Sequence, residues 1–278
     1  MKERPILFSG EMVQAIIDGR KTMTRRVINQ TPAGFRFDGF ITDGTKDRGK
    51  AVFSPSENFQ YDITGNIKVL CPYGQPGDRL WVRETWRVGA WDENDCAIKV
   101  DYRADGFSRQ EWLYVPNEKY FEKLWIQSSL DADEKIGRNR DFSYTWEPGQ
   151  SPCRWRPSIF MPRWVSRITL EITNIRVERL QDISEEDAFA EGIDDESEEY
   201  NRAEHFQLGG SQIQGGAPAI FTFIGLWDSI NAKRGYSWES NPWVWVIEFR
   251  RVDQNEPRYV TREMAFQRQS QNMERTET

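Results

Sequence analysis

A short segment near the N-terminus concentrates side chains that can bind anions or carry out acid–base chemistry. Residues 20–26 hold four cations and two hydroxyls, directly after a predicted helix. The forked guanidinium of an arginine suits phosphate or a base edge, so Arg20, Arg25 and Arg26 are candidate binding residues. Lys21 can act as a base if it is buried, and Thr24 as a nucleophile if a turn lets the two converge. An exposed basic turn is the alternative that the spacing leaves open.

The second candidate is the carboxylate of Glu84, in a segment (residues 79–86) whose alternation predicts one continuous strand. On such a strand Glu84 shares a face with Leu80, Val82 and Trp86. A carboxylate on an apolar face is desolvated, which raises its pKa and makes it a competent proton donor near neutral pH. The alternative is that Glu84 lies at the strand end and forms a structural ion pair with an arginine.

A third segment interleaves arginine with tryptophan, as Arg154, Trp155 and Arg156, and continues through Arg163, Trp164 and Arg167. Such a pattern can bind phosphates and stack bases. The alternative is that the tryptophans belong to the core and the arginine stems lie over them. Arg83 is a further candidate binding residue. We expect the arginines of the first and third segments to line one cleft.

The composition narrows the chemistry that is available. The chain has one histidine, His205, so a histidine-based triad or a histidine-rich metal site is excluded, and no metal or cofactor is expected. The three cysteines are widely spaced and form no C-x-x-C motif, which is typical of a protein of the reducing cytoplasm. No apolar run reaches 18 residues and the first residues lack the apolar stretch of a signal peptide, so no membrane partner is expected.

Charge is distributed unevenly along a chain whose net charge is −7. Residues 1–30 carry six basic and three acidic side chains, and residues 151–180 carry six arginines and two glutamates. Residues 181–205 carry eleven acidic side chains and only Arg202. The basic segments predict a localised anion-binding face, whereas we interpret the acidic run as a solvated helix and loop.

Hydrophobic periodicity predicts mainly strands with a few helices. A strand over 5–8 precedes a helix over 9–18, which Ser9 caps and Gly19 ends. The strand that begins near Ile168 changes phase at residues 173–174, which predicts a bulge. A short helix starts at Ser184, and a second helix and an apolar strand follow at 220–230 and 242–249.

These elements favour an α+β fold, a mainly antiparallel barrel with peripheral helices, and no βαβ alternation. We interpret residues 1–252 as one domain with insertions at about 30–70, 88–150 and 190–240. The first insertion is expected to hold one short hairpin. Residues 253–278 are interpreted as a polar tail.

Two of these segments together resemble the signatures of the ASCH family. Residues 19–26 (Gly-Arg-Lys-Thr-Met-Thr-Arg-Arg) resemble its opening motif, and residues 77–86 (Gly-Asp-Arg-Leu-Trp-Val-Arg-Glu-Thr-Trp) its second motif. Residues 155–171 and 241–249 resemble later strands of larger, phage- and prophage-encoded members. The resemblance covers about half of the chain. It implies a PUA-like β-barrel and a role in handling RNA or a modified nucleoside.

The resemblance also implies an active site. A bacterial member of the family hydrolyses the acetyl amide of N4-acetylcytidine with a lysine proton acceptor, a threonine nucleophile and a glutamate proton donor. Those positions match Lys21, Thr24 and Glu84, which are expected to share one pocket. The insertions leave the substrate open. A non-catalytic RNA-binding module is the alternative, and a phage accessory protein that binds a host protein through its acidic segment is a third interpretation.

Overall fold

The computed structural model describes residues 1–252 apart from 30, 32–33, 57–64, 142 and 203–217. His205 and the predicted tail therefore lie outside the described residues. The chain forms the following strands and α-helices: β1 (Glu3–Leu7), α1 (Gly10–Ile17), β2 (Met23–Val27), β3 (Phe35–Phe40), β4 (Ala51–Pro55), β5 (Ile67–Val69), β6 (Arg79–Arg83), β7 (Trp86–Asp92), β8 (Ala97–Tyr102), β9 (Ser108–Tyr114), α2 (Glu118–Lys135), β10 (Thr169–Arg179), α3 (Glu185–Ala190), α4 (Pro218–Asn231) and β11 (Trp243–Arg251). Short 3₁₀ turns lie at Ser158–Phe160, Leu180–Asp182, Ala232–Arg234 and Trp238–Ser240.

The strands form one five-stranded sheet, in the order β1-β6-β10-β11-β2, and two three-stranded sheets, β3-β4-β5 and β7-β8-β9. The pairings of β10, β11 and β2 are antiparallel, as are those within both smaller sheets. The predicted α+β class with mainly antiparallel sheets is therefore confirmed. Among the described residues, no helix is both long and apolar enough to cross a membrane.

The described chain divides into two compact units. The first comprises Met1–Arg4, Ala15–Leu80 and Leu170–Arg251, and the second comprises Pro5–Gln14 and Trp81–Thr169, with Val252. The core of the first unit packs α3 and α4 against β2 and β11, with Met23, Trp227 and Val246 among its buried residues. The core of the second unit packs α2 against the β7-β8-β9 sheet around Trp86 and Tyr102.

Local signals placed most of the predicted elements well. The Ser9 hydroxyl accepts a hydrogen bond from the Met12 N–H at the start of α1, and the Ser184 hydroxyl accepts one from the Asp187 N–H at the start of α3. The register of β10 against β11 shifts between Ile172 and Asn174, so the predicted bulge is confirmed.

Two element predictions were wrong. The segment 79–86 is not one strand, because β6 ends at Arg83 and β7 begins at Trp86, with Glu84 and Thr85 between them. The first insertion holds the three strands β3, β4 and β5 rather than one hairpin. Its aromatic residues pack on β11, where the ring centroids of Phe53 and Trp243 lie 5.7 Å apart. That long-range contact, which has no local signature, stabilises the sheet.

The packing of α4 gives a direct test of the first unit. Replacing the buried Trp227 with alanine is expected to cost about 3–5 kcal/mol, because a large core side chain leaves a cavity. Ile230→Ala, on the exposed side of the same helix, should change stability by less than about 0.5 kcal/mol. Urea unfolding of both variants measures the difference. Equal midpoints for the two variants would contradict the placement of α4.

Candidate functional site

The segment that follows α1 places the Lys21 side chain in the interior of the first unit. Gly19 adopts a positive φ of 80° just after the helix, and the Lys21 N–H donates to the Ala15 carbonyl at 3.0 Å. The chain then enters β2 at Met23. Lys21 is 2% exposed and Thr24 is also buried. The alternative of an exposed basic turn is therefore wrong for these two residues.

The Lys21 ammonium forms a buried ion pair with Glu191, the residue that follows α3. Its Nζ donates to the Glu191 carboxylate at 2.7 Å and to the Glu191 main-chain carbonyl at 2.6 Å. Gly192 permits this approach, because a Cβ at that position would lie 3.0 Å from the Cβ atoms of Ala15 and Lys21. Burial lowers the pKa of Lys21, and the charge of Glu191 opposes that shift.

Arg25 lies in the same charged network. Its buried guanidinium donates to Glu178 at 3.2 Å and to Asp187, and it lies 3.5 Å from Glu191. Arg176 donates to Glu178 and Asp187 from β10. The network thus connects β2, β10 and α3. Because the Arg25 donors point at carboxylates of its own unit, the side chain acts as a structural cross-link here.

The neighbouring cations differ in their surroundings. Arg20 is half-exposed and donates to the Gly192 carbonyl at 3.1 Å and to Asp18 at 3.1 Å. Arg26 is half-buried, and burial lowers its pKa against the opposing charges of Tyr73 and Glu191.

Thr24 is the second residue of β2. Its partner across the sheet is Ile247 of β11. Strand alternation places its side chain on the opposite face from those of Met23 and Arg25, while its residue is buried. Alternation along β2 thus turns the Thr24 side chain away from the face on which Arg25 contacts its carboxylates, and the residue is shielded from bulk water.

In the second unit, Glu84 lies at the end of β6 and is 1% exposed. Both carboxylate oxygens accept hydrogen bonds from Arg167, from Nε at 2.8 Å and from Nη2 at 2.8 Å. Arg167 also donates to Asp105 at 2.8 Å and stacks over the ring of Tyr102 at 4.2 Å. The strand-end ion pair with an arginine is therefore present. Burial nevertheless raises the pKa of Glu84, and the hydrogen bonds from Arg167 oppose that rise.

The tryptophan- and arginine-rich segment belongs to the second unit as well. The guanidinium carbon of Arg156 lies 5.6 Å from the ring centroid of Trp86, a core residue, as expected for an arginine that covers a buried tryptophan. Arg83 stacks over Trp81 at 4.7 Å. Arg154 is exposed and forms an ion pair with Asp131 at 2.7 Å. Trp155 is half-buried, unlike the core tryptophan Trp86.

The predicted site residues thus fall into two groups. Lys21, Thr24 and the arginines at 20, 25 and 26 lie in the first unit, whereas Glu84, Arg83, Arg154, Trp155 and Arg156 lie in the second. Within the first unit the structure brings Lys21 and Arg25 to Glu191.

The sequence did not identify Glu191 and Asp187 as partners of the basic segment. It offered Arg167 as a binding residue, but not as the arginine that pairs with Glu84. The interpretation of the acidic run as a solvated face was wrong for Glu191, which is buried, and for Asp187, which bonds two arginines. The signal available was the opposite charge of the runs at 20–26 and 181–205. Among the described residues, no group of three or more histidines, cysteines, aspartates or glutamates is arranged to hold a metal ion.

The buried pair yields a prediction about proton binding. Glu191→Gln is expected to lower the pKa of Lys21 further, because it removes the main charge that opposes burial. The folded state would then bind this proton more weakly than the unfolded chain, so stability should rise with pH up to about 10.5. The ¹³C shift of the Lys21 Cε during a pH titration measures the change.

Glu178→Gln is the matched control, since Glu178 bonds Arg25 and Arg176. A Lys21 pKa that stays the same or rises in Glu191→Gln would contradict the pairing.

In comparisons with protein-family models, with curated proteins and with solved structures, the chain matched none of them. The function is therefore inferred from the motifs at residues 19–26 and 77–86 and from the environment that the fold gives to their side chains.

Proposed function

We propose that the chain is an ASCH-type protein that acts on RNA or on a modified nucleoside, with a PUA-like β-barrel formed by its antiparallel strands. Two motifs support the family, and the confirmed α+β class with mainly antiparallel sheets is compatible with it. A cytoplasmic location belongs to the same proposal. It is supported by the three free cysteines, of which Cys71 and Cys153 are buried.

The proposed reaction is hydrolysis of the acetyl amide of N4-acetylcytidine. Lys21 accepts the hydroxyl proton of Thr24, whose oxygen attacks the acyl carbon, and Glu84 protonates the departing cytidine nitrogen. Water then hydrolyses the acetyl-threonine ester to release acetate and regenerate the hydroxyl. The joint action of the three residues is taken from the family resemblance.

The observation that carries the proposal is the buried Lys21, held by a carboxylate in a segment that also buries Thr24. A general base works best when its pKa lies near the working pH, and burial moves the pKa of Lys21 in that direction. Burial moves the pKa of Glu84 upward, in the direction that a proton donor needs. Glu191 and Arg167 fix the orientation of the two groups.

Three variants test the reaction. Glu84→Gln keeps the shape of the side chain but removes its proton, and Thr24→Val removes only the hydroxyl. Lys21→Ala removes the base and leaves Glu191 with Arg25, 3.5 Å away, as its cationic neighbour. Each should lower acetate release from N4-acetylcytidine by about 10²–10⁴-fold. Circular dichroism monitors folding. The control is Arg138→Ala, which removes an exposed ion pair with Asp133. Full activity of folded Thr24→Val would exclude the covalent route.

A non-catalytic RNA-binding module is the second candidate function. Arg83 and Arg156 favour it, because both stack on tryptophan rings and neither forms an ion pair within the described residues. The Nε atoms of both are buried without a hydrogen-bond partner in that part of the chain. A guanidinium that stacks on an aromatic ring and forms no ion pair is suited to a phosphate near a base, which would bind the terminal nitrogens rather than the buried Nε.

This candidate needs a test that spares the buried cross-link of Arg25. The double variant Arg83→Gln and Arg156→Gln should weaken binding of single-stranded RNA and reduce the slope of log K against log salt by about 0.7 per lost phosphate contact. Fluorescence anisotropy at several salt concentrations measures both quantities, with Arg138→Gln as the control. Unchanged affinity and slope would exclude these two arginines as phosphate contacts.

A further inference from the structure

Two guanidinium groups of its own unit lie near the ring of Trp155. The guanidinium carbon of Arg87 lies 4.3 Å from the centroid of the Trp155 ring, and that of Arg103 lies 6.0 Å from it. Arg87 flanks Trp86, whose main chain pairs with that of Arg156 in an antiparallel bridge. The indole is half-buried, so part of it faces solvent. Its position is therefore fixed by backbone pairing as well as by packing.

The two arginines are held in different ways. Arg87 donates to the buried Asp101 at 2.9 Å and also to the Gly149 carbonyl, so its charge is neutralised and its position fixed. Arg103 is exposed and forms no ion pair within the described part of the chain. Arg87 thus orients the Trp155 ring, whereas Arg103 places a positive charge beside that ring without a carboxylate partner in the described residues.

Arg103 is also anchored next to Glu84. Its N–H donates to the carbonyl of Thr85 at 3.0 Å, one residue after Glu84. Two residues further on, Asp105 binds the same Arg167 that holds Glu84. The loop that contains Arg103 is therefore held near Glu84, the proposed proton donor, by a main-chain hydrogen bond at Arg103 and by the Arg167 ion pair at Asp105.

We infer that Trp155 and Arg103 form a subsite for the nucleotide adjacent to the target base, so that the substrate is a single-stranded RNA rather than a free nucleoside. The base of that nucleotide stacks on the exposed part of the indole, and its phosphate accepts hydrogen bonds from Arg103. This inference rests on the proposed function for the identity of the target base. The stacking itself requires only a single strand.

The test compares two substrates. One is an oligouridine that carries a single N4-acetylcytidine, and the other is the free nucleoside. Trp155→Ala is expected to reduce the ratio of kcat/KM for the oligonucleotide to that for the nucleoside by about tenfold to a hundredfold. Trp155→Phe keeps an aromatic face and should restore most of the ratio. Arg103→Gln should reduce the ratio and weaken its dependence on salt.

The second unit offers a matched control pair, Trp112 and Lys99. The Lys99 ammonium lies 5.0 Å from the Trp112 ring centroid, and Trp112 is 37% exposed. Trp112→Ala and Lys99→Gln should leave the substrate ratio at the wild-type value. A ratio that is unchanged in Trp155→Ala, or one that falls equally in Trp112→Ala, overturns the subsite.

A binding assay separates failure of the subsite from failure of the proposed function. If the wild-type protein turns over neither substrate, binding of unmodified oligouridine is measured instead. Weaker binding by Trp155→Ala, with unchanged binding by Trp112→Ala, would support the subsite and reject the hydrolysis. Equal binding by wild type and Trp155→Ala would reject the subsite. Equal competition by a duplex of the same length would also reject it, because a duplex offers phosphates but no unstacked base.

Discussion

The ion pair between Lys21 and Glu191 is the interaction on which the first unit depends. Both charges are removed from water, and loss of Glu191 would leave the Lys21 ammonium buried without its carboxylate, a defect worth about 3–5 kcal/mol. The two residues are 170 positions apart, so the pair brings the segment after α1 to the end of α3. Gly192 is needed at that point, because any side chain there would collide with Lys21.

A buried ion pair also holds the second unit together locally, between Glu84 and Arg167. The Arg167 guanidinium lies between the carboxylates of Glu84 and Asp105 and over the ring of Tyr102. Two carboxylates share the guanidinium of Arg167, and the charge of Arg109 also acts on Glu84. The charge of Asp105 adds to burial in raising the pKa of Glu84, while Arg167 acts against both. A structural ion pair and a proton-donating carboxylate are therefore compatible in one residue.

The sequence was informative where the deciding interaction is local. The caps of α1 and α3 depend on residues three positions apart, and the bulge in β10 follows from a change of phase within one strand. The break after Arg83 was not predicted, because alternation continues through Glu84 and Thr85 even though the hydrogen bonds do not. The main chain there turns to other partners, with the Glu84 N–H near the Met161 sulfur and the Thr85 carbonyl bound to Arg103.

The arginines of this chain have two kinds of partner. Those paired with carboxylates are neutralised locally, whereas those stacked on aromatic rings without a carboxylate partner are not. Arg25, Arg87 and Arg167 each form an ion pair with at least one carboxylate, so these side chains hold strands and loops in place and add little positive potential. Aromatic rings support Arg83 and Arg103, and a ring stabilises a cation without cancelling its charge. A chain of net charge −7 can in this way retain a local positive surface. Cations stacked on tryptophan without an ion pair in the described residues occur in both units: Arg83 and Arg103 lie in the unit that contains Glu84, and Arg179 stacks on Trp243 at 4.3 Å in the first unit.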